Sequence, residues 1–256
     1  MNRTSGPMLS VMLGAAAVTG QFVSAKATRD ALFLSAVDAT ALPAMLVATS
    51  VCSMLLVVAH DRWAGKLAPA TLVPAAFVVS GALFLVEWLV RAAVPAATAV
   101  VLYLHISGGG PLLASGFWLL ATERFDPRTA KARFGQIAGA GTLGGVLGGL
   151  LSERVAAVFG APAMLVVLAA LQLVAAWLVT RFAASLAARP VRPAGEGDPV
   201  GAHQSGWRVV AQAPHLRQLG ALVLLGTTGA ALLEYLFKLE AVDTLGRGDR
   251  LLRFFA

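Results

Sequence analysis

The chain has 256 residues, of which 58% are hydrophobic and 13% charged, with a mean hydropathy of +0.77 and a formal net charge of +7. A soluble domain carries about 25% charged residues. This composition therefore excludes an ordinary water-soluble globule, and the single cysteine, Cys52, excludes disulfide scaffolds and cysteine-based metal sites.

Apolar runs near the roughly 20 residues needed to cross about 30 Å of hydrocarbon recur along the chain. They predict membrane helices over 8–27, 42–59, 70–90, 96–121, 134–151, 162–183 and 219–239. Strands are not expected, because open strands leave backbone groups unsatisfied in lipid. The class is thus an all-α polytopic membrane protein. Arg3, the first apolar run and the "AKA" of Ala25 to Ala27 also have the outline of a cleaved signal peptide. Six further spans make a first membrane helix the simpler reading.

The fourth span contains "SGGGP", Ser107 to Pro111. Pro111 must lose a helical hydrogen bond there, and three glycines favour unwinding. Either neighbouring helices accommodate a kink, or the interruption lines a substrate path. In the fifth span, "GAGTLG" (Gly139 to Gly144) matches the glycine spacing of a dinucleotide fingerprint. That fingerprint needs a strand before it and an acid about 20 residues later. Here a charged "DPRTAKARF" precedes it, and Ala161 and Pro162 stand at the distance where the acid is needed. Gly135/Gly139, Gly141/Gly145/Gly149 and Gly144/Gly148 are each four apart, which is the small-xxx-small spacing of close membrane-helix packing. These glycines read as packing surface, with Gly141, Gly145 and Gly149 sharing one face.

A Pro- and Gly-rich polar stretch, 188–206, then separates the sixth span from the seventh. It reads as a flexible linker. The predicted organisation is a six-helix bundle over 1–187, a linker over 188–213, and a seventh membrane helix within 214–256. With the N-terminus cytoplasmic, twelve Lys and Arg residues fall in inner segments and five in outer ones. Positive charge stays inside, so this orientation is expected. The basic balance then reflects topology and anionic lipid, and no interleaved aromatic and basic patch points to nucleic acid.

Ionisable residues within spans carry the functional signal, since each is costly in lipid. Lys26, Arg29 and Asp30 close the first span, Glu87 lies in the third, and Glu234 and Lys238 lie in the seventh. Glu234 and Lys238 are four apart and can pair along one helix face. Arg29 and Asp30 also suit an interfacial position, and Lys26 suits snorkelling outward. Glu87, beside Trp88, reads as interfacial. His105 has no partner at His-x3-His spacing, so it reads as a helix–helix hydrogen-bonding residue rather than a metal ligand.

Several of these stretches resemble the ATP/ADP translocase family, the nucleotide transporters of plastids and intracellular bacteria with looser bacterial relatives. They are "RDALFLS" (Arg29 to Ser35) followed by "LP" (Leu42, Pro43), "EW" (Glu87, Trp88), "FWLLATERFDPRTAKARFGQIAGAGTLGGVLGG" (Phe117 to Gly149) and "EYLFKLEA" (Glu234 to Ala241). The stretch from Phe117 to Gly149 is the most specific. "HDRWAGK" (His60 to Lys66) also resembles the charged loop between helices two and three of the wider superfamily. The resemblance implies a major-facilitator-like fold, with two six-helix halves around a central cavity. Seven spans would then be the first half plus the first helix of an incomplete second half, in a truncated or fragmentary chain. Arg29 stands where the family's carriers have a basic residue ending the first helix, and Glu234 where they have an acid in the seventh. Their acid in the fourth helix is unmatched, because Ile106 and Ser107 occupy that neighbourhood.

The expectation is a multi-pass bacterial inner-membrane transporter, similar to ATP:ADP antiporters and working by alternating access. It would carry an anionic small molecule, ATP or ADP by the resemblance, with no cofactor, no metal and no covalent chemistry. Arg29 would grip a phosphate through its guanidinium fork. Lys238 and Lys26 would add positive charge, and Glu234 would pair with a cation or select against excess negative charge. The alternative is a non-transporting membrane scaffold or sensor of the same fold, in which these charges serve only as buried pairs.

Overall fold

The computed structural model describes residues 5–64, 68–124, 127–187, 214–246 and 249–256. The predicted linker, 188–213, lies outside them. The described regular structure is helical throughout: α1 (Ser5–Ala36), α2 (Leu42–Ala64), α3 (Pro69–Val90), α4 (Pro95–Leu104), α5 (Gly110–Arg124), α6 (Pro127–Phe159), α7 (Met164–Ala187), α8 (Pro214–Leu245) and α9 (Asp249–Phe255). A five-residue π-helical turn, His105–Gly109, joins α4 to α5. Short 3-10 turns, Ala39–Ala41 and Ala161–Ala163, lead into α2 and α7.

Among the described residues, seven helical stretches are long and apolar enough to cross a membrane, with α4, the π turn and α5 forming one of them. Their number matches the expectation from sequence, but three of them run further, the seventh covering Pro214–Leu245. The first continues to Ala36 and the fifth to Phe159. Polar residues placed those two boundaries too early. Ser24, Thr28, Arg29 and Asp30 are buried and bonded inside the bundle, as is Ser152, so none of them ends its helix.

Helix α1 is the centre of the bundle and touches α4, α5, α6, α7 and α9. Its seam with α6 is the closest. A methyl built on Gly20 would lie 2.6 Å from the Gly144 carbonyl oxygen. One on Gly144 would collide with the Ala16 backbone, and one on Gly148 with the Gly20 carbonyl. Ser24 and Ser152 both donate to the Gly148 carbonyl oxygen, at 2.8 and 2.9 Å. The stripe expected to form this seam was Gly141, Gly145 and Gly149. Gly141 does approach Thr19 Oγ1 at 3.1 Å from its built methyl position, but Gly145 makes only ordinary contact, 3.4 Å to Val23. Gly149 faces the Ala256 carbonyl instead. The tightest approach therefore falls one position over, on Gly144 and Gly148. Spacing alone marks several overlapping stripes and cannot say which one meets the partner.

Two apolar cores flank α1. One gathers Phe33, Leu34, Phe84, Leu102, Ile106 and Leu168, and α9 folds back to add Leu251 and Leu252 to it. The other gathers Val11, Phe77, Phe117, Leu120, Ile137 and Val179. Gly160, at φ +80°, supplies the left-handed turn before α7, and Asp249 of α9 accepts a 2.7 Å hydrogen bond from the next backbone N–H, that of Ala161. Outward faces stay apolar, as lipid demands: Val47, Val51, Met54 and Leu55 on α2, and Leu222, Leu225 and Leu233 on α8, are exposed.

The glycine run does not unwind its helix. The turn at His105–Gly109 takes π geometry, which widens the helix by a residue, and the Gly110 N–H then donates to the Ile106 carbonyl in the α pattern, so the helix continues. Close packing is what uses these glycines. A methyl on Gly108 would lie 3.3 Å from Cys52 Sγ, and one on Gly110 would lie 2.9 Å from the Phe22 ring.

Candidate functional site

Four charged side chains meet where α1, the π turn and α8 converge. Arg29 and Asp30 are adjacent on α1, and the guanidinium closes on its neighbour. Arg29 Nε donates to Asp30 Oδ1 at 2.7 Å, and Nη2 lies 2.7 Å from the same oxygen. Nη1 donates to Ser107 Oγ of the π turn, also at 2.7 Å. The face of the guanidinium covers the Tyr103 ring at 4.6 Å, and Tyr103 rests in turn on Phe33. The widened turn carries Ser107 to Arg29, one residue after Ile106 commits its side chain to the core.

Helix α8 supplies the other two charges. Lys238 Nζ donates to Glu234 Oε1 at 2.8 Å and lies 3.1 Å from Asp30 Oδ1. Asp30 Oδ1 thus receives both cations. Arg29 Nη2 also reaches Glu234 Oε1, at 3.7 Å, which is the loosest link of the set. The side chains of Arg29, Asp30 and Lys238 are 8%, 8% and 5% exposed, whereas that of Glu234 is 46% exposed. Two cations and two carboxylates balance, so the site is neutral overall. Its one open member is a carboxylate lying against both cations.

Among the residues singled out from sequence, Arg29, Glu234 and Lys238 join in ion pairs, whereas Lys26 acts on Glu234 through its charge alone. Lys26 is exposed, one helical turn before Asp30, and makes none of these ion pairs. Arg29 and Asp30 suit an interfacial position by pattern, but the structure buries both inside the site, and Tyr103 and Ser107 join them although neither is a binding candidate by sequence. Ser107 stands in the neighbourhood where the family resemblance expected an acid, and it answers Arg29 with a neutral hydroxyl.

The sequence pattern places Glu87 at the interface, but the structure buries it: it is only 3% exposed and bonded to His105. A carboxylate near a span end beside a tryptophan suits the interface by pattern. Only the fold brings the His105 ring to it. His105 bridges helices by hydrogen bonds, as its isolation from metal-spaced partners had implied.

Comparisons with family models, with known proteins and with solved structures find no match for this chain.

Proposed function

We propose that the chain is a secondary membrane transporter for an anionic solute, a nucleotide such as ATP or ADP, working by alternating access in the manner of ATP:ADP antiporters. In this reading residues 1–187 and 214–256 belong to a major-facilitator-like arrangement in a bacterial inner membrane, with the N-terminus cytoplasmic. The observation that supports it is the exposed Glu234 carboxylate lying on two otherwise buried cations. A buried cation in a membrane segment is costly unless it is paired or functional. Here the pairing is arranged so that one of the two anions is open to exchange. A phosphate oxygen arriving from a water-filled cavity takes the place of Glu234 at Arg29 and Lys238, and Glu234 returns when the solute leaves. Arg29 suits this role because its fork binds phosphate oxygens in a fixed plane. Asp30 stays in place beneath both cations and keeps the emptied site neutral with Glu234.

The neutrality of the cluster is what favours the rival reading, a scaffold in which these are structural pairs. Uptake of labelled ATP, ADP or inorganic phosphate into proteoliposomes containing the full-length protein separates the two. Arg29→Ala abolishes uptake, and Arg29→Lys retains part of it because the charge survives without the fork. Glu234→Gln tightens binding of the probe, because the internal competitor is gone. Wild-type protein that carries none of the three probes under any gradient overturns the transport reading and leaves the scaffold.

A further inference from the structure

A second buried polar cluster lies beside the charge site and is used by none of the chemistry above. His105 Nδ1 is 3.0 Å from Glu87 Oε1, and His105 Nε2 is 2.8 Å from Ser80 Oγ. Gln172 Nε2 of α7 donates to the same Ser80 oxygen at 2.7 Å. Phe84 covers the imidazole, with its ring centre 4.5 Å away. Glu87 Oε2 and Gln172 Oε1 are buried without a hydrogen-bond partner. A cavity near the size of one water opens among Gln21, Ser80, His105 and Gln172.

Charge accounting gives this cluster a purpose. With Glu87 ionised and His105 neutral, the pair carries one net negative charge in apolar surroundings. No cation lies within an ion-pairing distance of Glu87 among the described residues other than His105 itself. One added proton makes the pair neutral overall, with Nδ1–H donating to Glu87 and Nε2–H donating to Ser80. Buried charge that is neither paired nor neutralised is strongly disfavoured.

The groups facing the pair from its surroundings are few. From α1 comes Arg29, one step away through Ser107. From α2 comes Cys52, against the back of the turn at Gly108. From α3 comes Arg91, one turn beyond Glu87 and held against the Trp88 ring and carbonyl. From α4 comes Tyr103, engaged with Arg29. Helices α5 and α7 present the uncharged Leu113 and Gln172 at the cavity.

We propose that Glu87 and His105 form a proton-binding site, and that its proton is the ion coupled to solute movement at Arg29. The coupling half of this inference rests on the transport reading; the proton site does not. The physical link is the π turn. His105 and Ser107 are two residues apart on it, one bonded to Glu87 and the other to Arg29. A π turn holds one residue more than an α turn, so this segment has an alternative register, and a shift moves both side chains together. Loading one site then biases the other, which is what coupling between sites requires. The proton arrives from water on one side of the membrane, sits on the pair, and leaves to water on the other side. No other bond is made or broken.

Infrared titration of the detergent-purified full-length protein, from mildly acidic to mildly alkaline pH, tests the site itself. A protonation change of one carboxyl–imidazole pair is expected, lost in both Glu87→Gln and His105→Gln and retained in Asp30→Asn. Thermal melting of each variant identifies any that fails to fold, and Glu87→Asp, which keeps the acid, must recover the signal. A spectrum identical in wild type and Glu87→Gln overturns the proton site. Uptake of labelled ADP or inorganic phosphate into proteoliposomes tests the coupling. An inward proton gradient is expected to stimulate wild-type uptake severalfold and to leave Glu87→Gln indifferent. Uptake that ignores the gradient in the wild type overturns the coupling and spares the transport reading. Absence of uptake overturns both coupling and transport, and the infrared titration still decides the site.

Discussion

Ser107 Oγ accepts a 2.7 Å hydrogen bond from Arg29 Nη1, across 78 residues of sequence. This bond ties the C-terminal third of α1 to the π-helical turn His105–Gly109. Arg29 otherwise spends its fork on Asp30 and its ring-facing side on Tyr103. The hydroxyl is a neutral acceptor, so it leaves the charge balance of the cluster untouched.

Ser107→Ala removes that acceptor and leaves a buried guanidinium donor unmatched. Hydrogen bonds to charged groups are worth about 1.5–3 kcal/mol, so a loss of stability of that order is expected. Ser107→Asp offers Arg29 a carboxylate but turns the neutral cluster net negative. It is expected to keep the fold and to weaken binding of ADP or phosphate. Thermal melting in detergent checks the first variant and equilibrium binding the second. An alanine variant that melts like the wild type shows that the bond contributes nothing.

The α1–α6 seam makes a prediction that distinguishes neighbouring glycines. A methyl at Gly148 would strike the Gly20 carbonyl, so the helices must separate, and overpacking of this kind costs about 1–3 kcal/mol. At Gly145 the new methyl meets Val23 and Thr19 at 3.4 and 3.6 Å, which is ordinary contact. It also gains about 1 kcal/mol in helix propensity over glycine. Gly148→Ala should therefore melt below the wild type and Gly145→Ala at or above it. Gly139, with nothing within 4 Å of its built methyl, serves as the control. Equal melting of the two variants would show that the seam is looser than described.

What was legible in the sequence follows from what lipid enforces. Hydrocarbon thickness dictates apolar runs of about 20 residues, so the seven spans could be counted directly. Their faces could not be read in the same way. A helix apolar all round carries little amphipathic signal to say which side meets protein. That is why the glycine stripe was placed on Gly141, Gly145 and Gly149 when the closest contacts fall on Gly144 and Gly148. Ionisable residues inside spans stood out because each is expensive, and Arg29, Glu234 and Lys238 do meet. Their partners were hidden. Ser107 and Tyr103 are uncharged, so neither carries the cost in lipid that marks a site residue, and Glu87 is buried only because α3 and the π turn pack together.

The linker supplies a test of orientation. With Arg189 and Arg192 in the 188–206 stretch and Arg208 just after it, the excess of Lys and Arg in alternate segments predicts a cytoplasmic position for it. A single cysteine at Ser205, in a Cys52→Ala background, should resist an impermeant thiol reagent in intact cells and react once the membrane is opened. Cys52→Ala itself is expected to be tolerated, since the thiol is half-buried and free. Labelling from outside intact cells reverses the topology.

Exchanging Glu234 and Lys238 decides whether the pair is merely a pair. On an isolated helix face the swap preserves both the spacing and the net charge, and little should change. In the bundle the two positions are not equivalent. Position 238 is buried with its ammonium 3.1 Å from Asp30, whereas position 234 is half exposed and faces Arg29 at 3.7 Å. The swap sets a carboxylate against Asp30 and an ammonium against Arg29, two repulsions in place of two attractions. Removing one partner of a buried ion pair costs about 3–5 kcal/mol, and the swap should cost at least as much. Glu234→Gln removes only the exposed anion, and exposed pairs are worth about 0–1 kcal/mol, so its effect on stability should be small. Lys238→Met should fall near the swap, because it strips Asp30 of one of its two cations while keeping the buried volume. The order expected in thermal melting is wild type and Glu234→Gln together, with Lys238→Met and the swap well below. A swapped protein that melts and transports like the wild type would mean that Asp30 does not feel position 238, and the four-charge site would reduce to two independent pairs.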